Sequence, residues 1–109
     1  MPRDPRIKAY AAWPVLVEVA TSRTTMTYEQ LAARIGGSAL NTRQPLDVIG
    51  KHCIRNGLPH LTAVIVSKAT SKPGEGFLGD TEDFPKTLAA AHDQDWSTLK
   101  NPFRVFVDG

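Results

Sequence analysis

The chain has 109 residues, 41% of them hydrophobic, with 13 Lys/Arg against 11 Asp/Glu and a formal net charge of +2. That length and apolar content suffice for one domain around one core, and no apolar run approaches the ~20 residues of a membrane span. The opening Met1-Pro-Arg-Asp-Pro-Arg6 leads into no signal-peptide apolar segment, so a cytoplasmic protein with no membrane partner is expected. Cys53 is the only cysteine, which excludes an internal disulfide. No second thiol accompanies His52, His60 or His92 to form a zinc site, so neither metal nor cofactor is expected.

Residues 1–8 are polar, contain Pro2 and Pro5, and read as a flexible basic arm. Its Arg3, Arg6 and Lys8 suit phosphate contacts or a plain tail. The domain proper is expected over residues 9–109. Trp13, Leu16, Val17 and Ala20 follow the i, i+3, i+4, i+7 spacing of an amphipathic helix. Pro14 fits such a helix only in its first turn, which puts the regular helix near Ala12. Thr24-Thr25-Met26 is short and β-branched. Thr27 and Gln30 have capping-box spacing, so a second helix starts there, carries Leu31, Ala32 and Ile35 on one face, and ends at Gly36-Gly37. Leu46, Ile49, Cys53 and Ile54 mark a third helix, closed by Asn56-Gly57.

Leu61-Thr-Ala-Val-Ile-Val66 is apolar, rich in β-branched residues and too short for a helix, so it reads as a buried strand. Ser67 to Gly76 is a polar loop, after which Phe77-Leu78 is expected to begin a return strand. A short helix around Pro85 to His92, a turn-rich stretch holding Trp96, and a last strand over Arg104-Val-Phe-Val107 complete an acidic C-terminal extension, residues 80–109. The expected fold is α+β and winged helix-turn-helix-like: three helices, a small β-hairpin wing, then the C-terminal helix and strand. In that order of elements the third helix enters the DNA groove and the hairpin is the wing.

Charge follows the same division. Residues 1–72 hold ten Lys/Arg against four Asp/Glu, and residues 73–109 hold three against seven. A basic half suits a phosphate backbone, and Arg43, Lys51 and Arg55 fall on one helix face away from Ile49 and Cys53. Lys68 and Lys72 extend the basic set into the wing loop.

Thr27-Tyr-Glu-Gln-Leu-Ala-Ala-Arg34, Ile49-Gly50 and Arg55-Asn56-Gly57-Leu58-Pro59 resemble the DNA-binding domain of alkylguanine DNA alkyltransferases and alkyltransferase-like proteins, over roughly residues 10–79. The resemblance implies a winged helix that binds double-stranded DNA through the minor groove and rotates a damaged guanine out of the stack. Under it, Tyr28 matches the tyrosine that presses on the DNA backbone, Asn56 the asparagine ending the recognition helix, and Phe77 a tyrosine lining the alkyl pocket. The family's Pro-Cys-His-Arg falls on Ala63-Val64-Ile65-Val66, so the thiolate that accepts the alkyl group is missing. The arginine that fills the gap left by the base falls on Asp47. The chain also resembles short bacterial and prophage proteins sharing Pro-Gly-Glu-Gly-Phe and a later Asp-Trp.

The leading expectation is a non-catalytic DNA-binding protein, not an enzyme, with Tyr28, Arg43, Lys51, Arg55, Asn56, Lys68 and Lys72 as nucleic-acid contacts. The alternative is a protein-interaction module of a mobile element or toxin-immunity system, using the acidic C-terminal half. A third reading, a nuclease or toxin domain, would use His60 or Glu75. Cys53 beside His52 suggests a nucleophile and base, but adjacent helical residues point about 100° apart, and Cys53 sits on the apolar stripe of a core residue.

Overall fold

A computed structural model describes residues 5–74, 77–79 and 82–103, with side chains from Ile7 onward. Helix α1 runs Pro5–Thr21, so Ile7 and Lys8 of the expected arm belong to a helix. Lys8 Nζ donates to the carbonyls of Ile35 (3.0 Å) and Gly36 (3.2 Å). It therefore serves the C-terminal end of helix α2, Tyr28–Ile35, where a cation meets the negative end of the helix dipole.

Pro14 lies inside α1 rather than in its first turn. A proline there cannot supply the N–H that the Tyr10 carbonyl would accept. Asn101 supplies it instead: its Nδ2 donates to Tyr10 O at 2.9 Å, and its Oδ1 accepts from Phe103 N at 3.0 Å. The C-terminal extension thus repairs a defect near the start of the chain. Helix α1 buries Ala9, Ala12, Trp13, Leu16 and Ala20 almost completely. It packs against α2, against helix α3 (Arg43–Arg55) and against helix α4 (Phe84–Asp93), so its apolar surface covers more than one face, as a central helix requires.

The chain leaves α1 through Arg23 at φ +56. Arg23 N donates to Ala20 O and Thr24 N to Val19 O, the Schellman pattern with a non-glycine residue in the left-handed position. The Arg23 guanidinium reaches Asp93 Oδ1 at 2.8 Å and His92 O at 3.4 Å. It thereby ties this turn to the end of α4.

Thr27 caps α2 as its spacing predicts: its side chain accepts from Gln30 N, and Gln30 Oε1 accepts from Thr27 N. Gly36, at φ +89, ends the helix. A 3₁₀ turn over Ala39–Thr42 leads into α3, whose end repeats the Schellman pattern with Gly57 at φ +65, Leu58 N on Cys53 O and Gly57 N on Ile54 O. Ile49 and Cys53 are buried as expected, but Ile54 is exposed.

The expected strand over 61–66 is mostly a 3₁₀ turn, Leu61–Val64, followed by strand β2, Ile65–Val66. Burial of all six residues accounts for the continuous apolar run, which does not by itself distinguish strand from turn. Strand β2 pairs in parallel with strand β1, Met26–Thr27, in the register Met26 with Ile65 and Thr27 with Val66. Phe77 and Leu78 are not in a strand, and among the described residues this two-stranded sheet is the whole of the β structure. The architecture is therefore α+β with four helices and a small parallel sheet. The expected last strand, Arg104 to Val107, lies outside the described residues.

Behind the sheet, α4 buries Ala91 and Phe84, and a 3₁₀ turn over Trp96–Thr98 places Trp96 in the core with its Nε1 donating to Ala91 O at 2.8 Å. Trp13 stands edge-on to Trp96 (5.8 Å between centroids), to Phe103 (6.2 Å) and to His52 (5.8 Å). These edge-to-face contacts suit the ring quadrupoles. His52 is half-buried in this box.

Candidate nucleic-acid interface

The outward face of α3 carries Arg43, Asp47, Lys51 and Arg55 at four-residue steps, opposite the buried Ile49 and Cys53. The acid does not stand alone: Lys51 Nζ lies 2.9 Å from Asp47 Oδ2. An exposed i,i+4 pair of this kind contributes little to stability, about 0.3–0.5 kcal/mol. It does, however, pull Lys51 toward Asp47.

Asn56, exposed at the end of α3, bonds within its own helix. Its Nδ2 donates to His52 O at 2.8 Å and approaches His52 Nδ1 at 3.3 Å, so its amide closes the C-terminal turn of α3. Lys68 and Lys72 are exposed in the loop after β2. That loop is folded on itself, with Ser67 N on Lys72 O and Ser71 N on Ser67 O, both at 2.8 Å.

Tyr28, the first residue of α2, points its hydroxyl at the end of the same loop and accepts from Gly74 N at 2.7 Å. A Cβ on Gly74 would stand 3.5 Å from that oxygen, in ordinary van der Waals contact. Tyr28 also walls an open cavity of about 620 Å³ between α3 and the Phe77–Leu78 segment. Asp47, Arg43, Gln44, Thr62 and Phe77 line it too. Of the seven expected contacts, Tyr28 and Arg43 meet at this cavity, Lys51 adjoins it through Asp47, and Arg55, Lys68 and Lys72 lie on exposed surface.

Two lining features escape a reading of motifs. Gly50 is buried inside α3, and a Cβ there would come within 3.2 Å of Leu78 Cδ1 and 3.9 Å of Thr62 Oγ1. A glycine within a helix costs about 1 kcal/mol relative to alanine, so its presence signals a close approach that the sequence already offers. Thr62 is 7% exposed, lines the cavity, and its hydroxyl has no hydrogen-bond partner among the described residues. Nothing in the sequence separates this threonine from its buried neighbours.

Val64, where the resemblance places the alkyl acceptor, is fully buried and is not part of the lining. Cys53 is fully buried, and desolvation pushes its thiol up, only partly offset by a backbone hydrogen bond from Leu61. A raised thiol pKa and no access make it a core residue rather than a nucleophile. His52 is held below its ordinary value by burial first and by the Arg55 charge second. His60 stands 5.6 Å from Phe77, edge-on, and its buried Nδ1 has no partner among the described residues. Glu75 lies outside the described residues. Among those described, no three His, Cys, Asp or Glu side chains are grouped to hold a metal, and no helix is long and apolar enough to cross a membrane. No protein-family model, curated protein or solved structure matches the chain.

Proposed function

We propose that this is a non-catalytic, double-stranded-DNA-binding protein of alkyltransferase-like, winged-helix type, meeting the phosphate backbone with the outward face of α3 and the lysines of the following loop. The observation that carries the reading is the cavity. Tyr28, Asp47 and Phe77 are the three positions that the resemblance associates with a displaced nucleotide, they are distant in sequence, and they line one opening. Arg55, Lys68 and Lys72 add exposed positive charge on the surrounding elements, which favours a salt-sensitive phosphate interaction. Alkyl transfer has no place in this reading, because Val64 offers no nucleophile and Cys53 is buried.

Fluorescence anisotropy on two labelled duplexes, one plain and one carrying an alkylated guanine, tests it at about 50 and 200 mM salt. Micromolar or tighter binding that weakens with salt, with the alkyl group still on the DNA afterwards, is the expected result. Absence of binding at the lower salt would overturn it, and a protein partner would then be sought by affinity capture.

A further inference from the structure

We propose that the Asp47 carboxylate is a built-in competitor of phosphate at Lys51, an autoinhibitory contact that leaves Arg55 as the open cation of α3; this rests on the nucleic-acid reading above and names how that interface is restrained. Asp47, Lys51 and Arg55 follow one another at four-residue steps along α3, about 6 Å apart along the helix axis. Lys51 Nζ lies 2.9 Å from Asp47 Oδ2, within the range of a charge-assisted hydrogen bond. The fold does not depend on this pair. Both side chains stay well exposed, 57% for Lys51 and 42% for Asp47, and an exposed pair at this spacing stabilises a helix only slightly. Its main effect therefore falls on what the surface binds.

A carboxylate and a phosphate seek the same thing from a lysine. The ammonium has three N–H donors and no acceptor, so a phosphate oxygen could take a second N–H while Asp47 holds the first. Two anionic groups would then crowd one nitrogen, and the repulsion between them offsets the attraction of the lysine. Lys51 contributes in full only when its side chain swings away from Asp47 or when the carboxylate is removed. Arg55, one turn further on, carries no such restraint: it is exposed, and among the described residues no carboxylate pairs with it. Asp47 itself stands in the lining of the cavity. The face of α3 therefore grades from an acid at the cavity, through a restrained lysine, to an open arginine at the end of the helix, and a phosphate backbone is steered toward that end.

Four full-length chains test this: wild type, Asp47→Asn, Lys51→Ala and the double variant. Inorganic phosphate is titrated into wild type and Asp47→Asn while the Lys51 side-chain signals are followed by NMR, which reads the competition without any nucleic acid. A labelled plain duplex is titrated into all four by anisotropy at about 50 and 200 mM salt, which reads the consequence for the interface. Asp47→Asn keeps the shape of the side chain and alters only an exposed pair, and matched melting curves check that the fold is kept. Phosphate is expected to reach Lys51 at a several-fold lower concentration in Asp47→Asn than in wild type. The same exchange is expected to tighten duplex binding roughly tenfold at the lower salt and to steepen the log–log salt slope by about 1, the share of one phosphate contact. With Lys51→Ala already in the chain, most of that gain should vanish, since the gain is then coupled to the lysine. An equal gain without Lys51 overturns the inference, because Asp47 would then act as a general repulsion and not through its partner. If the duplex is bound but phosphate reaches Lys51 equally well with and without Asp47, the competition is lost and the duplex reading stands. If no chain binds the duplex while phosphate reaches Lys51 more readily in Asp47→Asn, the duplex reading is lost and the competition stands.

Discussion

The aromatic box around Trp13 of α1 and the cavity beside α3 both carry aromatic side chains but treat their polar atoms differently. In the box, Trp96 Nε1 is bonded to Ala91 O, Asn101 serves the Tyr10 carbonyl that Pro14 leaves open, and Asp95 Oδ1 accepts from Ser97 N. In the cavity, Thr62 keeps an unpartnered hydroxyl among the described residues, and Asp47 shares its charge with one exposed lysine. The box uses its polar atoms to hold the chain together, whereas the Thr62 hydroxyl in the cavity lining holds no other described residue.

If that contrast is right, the box is where substitutions unfold the protein. Trp96→Ala removes a fully buried indole and should cost about 3–5 kcal/mol, read as a large fall in Tm or loss of the folded state. Next comes Asn101→Ala, which leaves the Tyr10 carbonyl without its donor and should cost about 1–3 kcal/mol. Restoring an N–H with Pro14→Ala in the same chain should reduce that cost, because the helix can then bond Tyr10 O itself. A double-mutant cycle by chemical denaturation measures the coupling; additive costs would show that Asn101 acts in some other way.

A smaller effect concerns His52. Burial among Trp13 and Phe103, with Arg55 adding to it, lowers its folded-state pKa below the ordinary histidine value of about 6.5. The unfolded chain therefore binds the proton more readily, and the stability due to neutral His52 is fully present above about pH 6.5 and lost as pH falls through that value toward the lower folded pKa. Thermal melts from pH 7.5 down to 5 should show wild type losing stability faster than His52→Gln; parallel curves would contradict this. The smallest change in stability is expected in the cavity. Thr62→Val replaces an unpartnered hydroxyl by a methyl group of similar shape, which should be nearly neutral, while weakening whatever ligand uses that hydroxyl. A cost like that of Asn101→Ala would mean that Thr62 belongs to the fold and not to a site.

Sequence patterns carried the local events well. The Thr27–Gln30 capping box, the Gly36 stop, the Asn56-Gly57 end of α3 and the buried position of Trp13 all follow from short-range chemistry. What they missed depends on residues far apart. The early start of α1 and the place of Pro14 inside it depend on Asn101, 91 positions from Tyr10. The apolar run at 61–66 gave burial without saying that its first four residues turn, and the parallel pairing of Met26-Thr27 with Ile65-Val66 has no local signature. The basic stripe of α3 was legible from spacing, but its joining with Tyr28 and Phe77 around one cavity was suggested only by the resemblance. The bond from the Asn56 amide to the His52 carbonyl at the end of α3 was not anticipated from the sequence.

Salt-dependent duplex binding tests the central claim most directly, with the wild-type chain compared with Arg55→Ala, Lys68→Ala and Lys72→Ala variants. The account predicts that the log–log slope of affinity against salt falls by about 1 for each phosphate contact removed, and that affinity drops similarly for every duplex sequence. A wild-type slope near zero, or variants indistinguishable from wild type at all salt concentrations, would contradict it.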